Sequence, residues 1–342
     1  MAETKLTNVV VPEIYNAYFQ ENFVGRSRFF RSGVIQNSAE IASLLNGGGS
    51  TFELPFTQQI TATPAIPAET GSQTVNAMST AQETIRRQMR TTAFGTNAIA
   101  TIFSGSNQLQ NIMSQFTDMW AADYDKAAIY TMQGIINDNL TNDSGDLVHD
   151  ISDEATPNIS DSRIIQTMAK MGENGVARGD NLNGSFSAIV MHSNVYNYLV
   201  DQDAITFVAI SGQLRPLDFY KGLQVIVDDN CIQQSESSGY AYTTLLLKPG
   251  ALQVGFSGNG YGSISYNRVE DRGMGVDEIF LRTVFAIHSP CFAWVGASMA
   301  GLSPTNNELA KAANWNRVAS YAQNAKFCAL IHEIPDAWDI VT

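Results

Sequence analysis

Apolar and polar positions alternate in different rhythms along this chain, and the rhythm changes mark its elements. The strongest signal lies at 107–140, where Leu109, Ile112, Met113, Phe116, Trp120, Tyr124, Ala127, Ala128, Thr131, Ile135 and Ile136 recur at three- and four-residue spacing without a proline. This predicts one helix of roughly 50 Å at 1.5 Å per residue, several turns longer than usual, with an apolar stripe on which a sheet can lie. Upstream, residues 1–45 mix apolar and polar text, and Pro12 and Glu13 predict a short helix carrying Tyr15, Tyr18, Phe19 and Phe23. Those aromatics belong either to an arm docked on another surface or to a terminal helix on its own domain.

Residues 46–100 read differently. Asn46-Gly47-Gly48-Gly49-Ser50 is a joint, and the Thr-rich alternation that follows is interrupted by Pro55, Pro64 and Pro67. Alternation predicts extended strands and the prolines confine them to edges. With few large apolar residues, the segment is expected to form a long hairpin burying itself on a neighbour; a disordered insertion is the other reading.

After an acidic polar link at 141–160, Ser160 or Asp161 should cap a second helix that ends before Gly175. SFSAIVMHS predicts a buried strand, NVYNYLVDQD a short helix, and LDFYKGLQVIVDD a strand with a turn at Lys221-Gly222. YTTLLLKPGALQVGF predicts a hairpin turning at Lys248-Pro249-Gly250. Long strands follow around Arg272-Gly273, and the stretch from Asn306 to Ile334 predicts a helix and then an apolar strand.

Composition narrows the function classes. Only 15% of the 342 residues are charged, below the roughly 25% of ordinary domains. Uncharged polar residues fill the gap, which suits a surface used up in contacts. The net charge of −13 is uneven. Residues 1–100 hold seven basic and seven acidic residues, so 101–342 hold 13 basic and 26 acidic. That acidity argues against gripping nucleic acid, which needs Lys and Arg clusters.

Cys231, Cys291 and Cys328 form no CxxC pair, which reads as reduced thiols in a cytosolic setting. Neither a signal peptide nor a transmembrane run is present, so the sequons at Asn139, Asn142 and Asn158 carry no glycans.

Candidate chemistry is thin. His149, His192, His288 and His332 lie far apart, outside any HxxxH or HExxH frame, and read as surface or hydrogen-bonded core residues. Around Ser257, GFSGN misses the G-x-S-x-G frame by one position; GNGYG lacks the third glycine and the helix of a dinucleotide loop. Asp123, Asp125, Asp228 and Asp229 read as solvated or strand-end carboxylates. No catalytic, cofactor-binding or metal residues are expected, and no cofactor.

The order of arm, Gly-hinged loop, long helix, α/β region and closing strands resembles the major capsid proteins of tailed phages. The phrases LTNVVVPEIYNAYFQENF, GGGSTFELPF, AIVMHSNVYNYLVDQDAI, YKGLQVIVDD and VDEIFLRTVFAIHSPCFAWVGASMAGLSPTNNELAKAANWNRV are similar to that family over nearly the whole chain. The resemblance implies an α+β Hong Kong 97-like fold. It would divide into an N-terminal arm (1–45), an extended β-hairpin loop (46–100), a peripheral domain with a spine helix (101–175), an axial domain (176–262), and peripheral-domain strands with the C-terminal segment (263–342).

The implied function is self-assembly, not catalysis: hexamers and pentamers closing an icosahedral head around double-stranded DNA, without sequence-specific binding and without a membrane. A separate scaffolding protein, a portal and a decoration protein are the implied partners. The virion is the implied location and the bacterial cytoplasm the place of assembly. No lysine occurs between Lys5 and Lys126, so the loop cannot supply the amine of the Lys–Asn cross-link found in some relatives. The chain begins almost at the arm, so a helical scaffolding segment is expected to be separate or already removed. The alternatives are a nanocompartment shell of the same fold, discriminated by gene neighbours, and a hydrolase using Ser257.

Overall fold

The computed structural model describes residues 29, 32–60, 64, 66, 75–98, 108–175, 185–208, 217–234, 240–258, 264–271, 274–335 and 338. The helix expected after Pro12 lies outside the described residues.

The helices are α1 (Ala39–Leu45), α2 (Gln108–Asn142), α3 (Asp161–Ala169), α4 (Ser193–Asp201) and α5 (Asn306–Leu309). The strands are β1 (Ile35–Asn37), β2 (Thr51–Thr57), β3 (Thr80–Arg86), β4 (Gln88–Asn97), β5 (Val148–Asp150), β6 (Ala188–Met191), β7 (Ile205–Val208), β8 (Leu217–Tyr220), β9 (Leu223–Val227), β10 (Ile232–Gln234), β11 (Tyr240–Leu247), β12 (Leu252–Phe256), β13 (Ile264–Val269), β14 (Val276–His288), β15 (Phe292–Trp294), β16 (Trp315–Arg317) and β17 (Phe327–His332).

The long helix forms as expected, and its 35 residues span about 52 Å. Its burial is not one stripe. Over the first turns Phe116, Trp120 and Tyr124 are buried while Gln115, Asp118 and Ala122 face out, the i, i+4 pattern of a half-buried helix. From Ala127 to Ile136 every residue is buried except the half-buried Tyr130. The C-terminal half is enclosed because distant elements close over it. Gly134 makes this possible: a Cβ there would lie 2.0 Å from the Leu309 carbonyl oxygen and 2.5 Å from Trp315 Nε1. The helix stops where Ser144 and Gly145 turn left-handed and the Asn139 side chain binds Asp146 and the Leu147 amide.

Two sheets share the main core. One runs β1-β12-β14-β13, with β4 also paired to β14; the other runs β5-β17-β11-β6-β9-β8-β7, with β10 on β11. Tyr124 of α2 packs edge-on against Phe285 of β14 and Phe256 of β12 and hydrogen-bonds Thr283, fixing the helix to the first sheet. The turn at Lys221-Gly222 has φ of +51° and +86°, the left-handed pair of a two-residue hairpin joining β8 and β9.

Four sequence expectations change. The Lys248–Gly250 turn forms, with the Ala251 amide donating to the Lys248 carbonyl, but it joins no hairpin. Leu245–Leu247 already pair with β6 on one side and β17 on the other, so β12 finds no free edge and enters the other sheet. The acidic link contains a strand, β5, because Val148 and its neighbours pair in parallel with Ala329–Ile331. The helix expected from Asn306 ends at Leu309. There Asn314 Nδ2 and Trp315 Nε1 take the carbonyls of Glu308 and Leu309, which further helical turns would need. Finally, residues 88–97 do not wait for a neighbour: they pair with β14 of their own chain over ten positions.

Candidate assembly surface

What remains of the coreless segment is the ribbon β2–β3, paired antiparallel from Thr51↔Arg86 to Thr57↔Thr80. Among the described residues it pairs with no other strand, so Pro55 costs no ladder bond on its outer edge. An isolated two-stranded ribbon is marginal in water, and its base shows what steadies it. Phe52 and Ile85, opposite each other, are buried with Ile41 and Leu45 of α1 and Ala286 of β14 in a small core separate from the main one. The expectation that this segment has no core is therefore corrected at the base, where the apolar phase of both strands meets α1.

Polar anchors add to this. Glu83 Oε2 lies 2.6 Å from His288 Nε2, and Glu83 Oε1 accepts the Cys291 amide at 2.6 Å. Arg87 donates to the carbonyls of Leu45 and Gly47 and stacks over Phe52, closing the Gly47–Gly49 joint. No local pattern revealed these anchors, since Glu83 and His288 stand 205 positions apart.

Past Thr57 and Thr80 the cover ends. The Gln58 amide binds the Ser79 carbonyl, and beyond it Ile60 is 67% exposed, Ile66 92%, Val75 93% and Met78 61%. Among the described residues, these four large apolar side chains find no core to pack against.

The described residues considered for chemistry are occupied structurally; 259–262 of the GNGYG run lie outside the described residues. Ser257 Oγ donates to Asn46 Oδ1 at 3.3 Å, and Gly258 N uses the same oxygen, so the near-miss loop closes onto the joint. His149 Nδ1 sits 3.2 Å from Thr167 Oγ1, His192 Nδ1 accepts the Asn194 amide as helix cap, and His288 holds Glu83. His332 is fully buried with Nδ1 at the Glu333 carbonyl and Nε2 at Thr244 Oγ1; burial presses its pKa down to about 4. Asp123 pairs with Arg90, and Asp228 caps the Asn230 amide just past β9.

The three cysteines are free. Burial, with Glu83 nearby, pushes Cys291 up to about 11, and burial pushes Cys231 and Cys328 up as well, so none is a ready thiolate. Among the described residues no three His, Cys, Asp or Glu side chains converge to hold a metal, and no helix is long and apolar enough to cross a membrane. The geometry offers contact surface and little else.

Residues 104–326 match the Gp13-like family, whose description is major capsid protein 13-like. The chain belongs to this family of major capsid proteins. A major capsid protein of Bacillus phage SPP1 is 28% identical to it over 321 residues, covering 93% of this chain and 95% of the relative. Among solved structures, the cyanophage Pam1 capsid shares 9% identity with a TM-score of 0.58, covering 92% of this chain and 93% of that one. The capsid of Ralstonia phage GP4 gives 0.57 at 9% identity, over 89% and 88%. At such identities the likeness establishes the fold, α+β and Hong Kong 97-like. The Gp13-like chain is thus the major capsid protein of a tailed phage, a structural component of the virion shell and not an enzyme. Neither the nanocompartment nor the Ser257 hydrolase reading is favoured.

Proposed function

We propose that this capsid protein assembles into hexamers and pentamers whose subunits overlap through the segment at 46–100, closing an icosahedral head around double-stranded DNA. The exposed apolar tip carries this reading: Ile60, Ile66, Val75 and Met78 gain burial only when a neighbour supplies a surface. In the same reading residues 1–45 are an arm, 101–175 and 263–342 a peripheral domain, and 176–262 an axial domain near the capsomer axis. A net charge of −13 suits a wall that repels packed DNA. A separate scaffolding protein, a portal and a decoration protein complete the head, which is built in the bacterial cytoplasm. Because no lysine lies between Lys5 and Lys126, the overlap is held without a loop cross-link. Denaturing gels of mature particles should show single chains, and a covalent ladder would contradict this.

Deleting residues 58–79 tests the central reading. The truncated chain should fold, with the melting temperature of the parent, and form no closed shells by electron microscopy. Shells of normal size from the truncated chain would refute it.

A further inference from the structure

The first sheet carries opposite charge at its two ends. Where β4 leaves the ribbon, Arg282 stands opposite Thr91 and Val284 opposite Met89. Arg87, Met89, Arg90, Arg282 and Val284 line a cleft of about 280 Å³, while the preceding Arg86 turns to the Leu302 carbonyl. Arg90 is compensated by Asp123 at 3.8 Å. Arg86, Arg87 and Arg282 are not. Their partners are the Leu302 carbonyl, the Leu45 and Gly47 carbonyls, and the Ser265 hydroxyl, with no carboxylate among the described residues. The Nε atoms of Arg86 and Arg87 are buried and have no hydrogen-bond partner. In a chain of net charge −13, two guanidinium groups without a counter-charge lining one cleft are out of keeping with the rest of the molecule.

The far end of the same sheet has the opposite character. Between positions 268 and 278 the sequence holds Glu270, Asp271, Asp277 and Glu278 against Arg268 and Arg272, four acids less two bases, a net −2. Arg268 is already engaged by Glu270 and Asp277. Glu270 and Asp271 are exposed, and Met274 beside them is 69% exposed. From Val276 to Thr283 the two ends lie roughly 24 Å apart at 3.4 Å per residue.

We infer that the arginine cleft receives Glu270 and Asp271, at the acidic end of β13, together with Met274 of a second copy of this chain. The charges are complementary, and Met89 and Val284 offer Met274 an apolar wall. Guanidinium forks match carboxylates in pairs, which point cations do not. Unlike patches at two ends of one rigid sheet make a heterologous contact, which repeats head to tail and closes into rings. A nucleic-acid backbone fits less well, because it needs a row of cations along a track and these arginines meet at one mostly apolar cleft. The inference rests on the shell reading.

Charge reversal tests it in the full chain under conditions where the unaltered protein forms shells. Arg282 and Asp271 are exposed, so Arg282→Glu and Asp271→Arg should each keep the parent melting temperature while giving about tenfold fewer closed shells. The double variant should recover to within about threefold of the parent, since the pair is restored in reverse. Single variants that assemble like the parent would overturn the inference. So would a double variant no better than the singles, or singles that form normal shells and fail only to retain DNA. Failure of the unaltered chain to form shells would sink the shell reading itself, and this inference with it.

Discussion

Helix α2 and the ribbon β2–β3 are both long and extended, yet they are held in opposite ways. Within Ala127–Ile136 the helix is closed over by α5 and β16, whose Leu309 and Trp315 lie against Gly134, elements more than a hundred residues away in sequence. The ribbon has a small core of five buried apolar residues at its base, and past Thr57 and Thr80 the described apolar residues Ile60, Ile66, Val75 and Met78 are exposed. Burying an apolar side chain is worth about 1.5–3 kcal/mol, so the helix is over-determined whereas the ribbon depends on a few contacts. The lesson is that one chain keeps a rigid body and a weakly held outreach apart by assigning them to separate cores. Local opening should follow that division.

Filling the helix side breaks the comparison hardest. Gly134→Ala forces a methyl onto the Leu309 carbonyl and the Trp315 indole, and should cost more than about 4 kcal/mol or abolish soluble expression. Thermal melting and solubility check it; a stable variant would mean that α5 and β16 are loosely seated. Emptying the ribbon side comes next. Ile85→Ala should cost about 3 kcal/mol. Hydrogen exchange should show the loss confined to β2–β3, with β6 and β11 still protected; uniform loss would show that the two cores unfold together.

The main core should also respond to acid through one buried group. His332 titrates near pH 4 when folded and near 6.5 when unfolded, because burial disfavours its charged form. Its contribution is complete above pH 6.5 and is lost as pH falls toward 4, a loss of about 3 kcal/mol in all. Denaturant titrations of His332→Gln against the parent over that range should show a shallower pH slope for the variant; parallel slopes would count against the assignment. The smallest effect belongs to the joint. Gly48→Ala meets nothing within 4 Å and should change stability by no more than about 0.5 kcal/mol, so a large loss there would show the joint to be strained.

Much of this protein was legible because its signals are local. The periodicity of 107–140 foretold α2 to within two residues at its C-terminal end, and alternation with proline at 55 foretold an edge ribbon. Lys221-Gly222 foretold a turn, and the structure makes it the two-residue loop of a hairpin between β8 and β9. The absence of catalytic frames and the likeness of whole phrases placed the chain among capsid proteins before any coordinates.

Other features were settled by partners that no local window contains. Lys248-Pro249-Gly250 turns as its residues demand, but whether a turn makes a hairpin depends on whether its first strand has a free edge, and β6 and β17 had taken both. Helical text after Asn306 stopped at Leu309 because an indole and an amide took its carbonyls. Glu83, an ordinary acid in a Thr-rich run, became the ribbon's anchor only when His288 arrived from the end of β14. Turn chemistry and periodicity act over a few residues and are written in sequence order. Sheet membership, carbonyl competition and the meeting of charges act through space, and only the folded chain decides them.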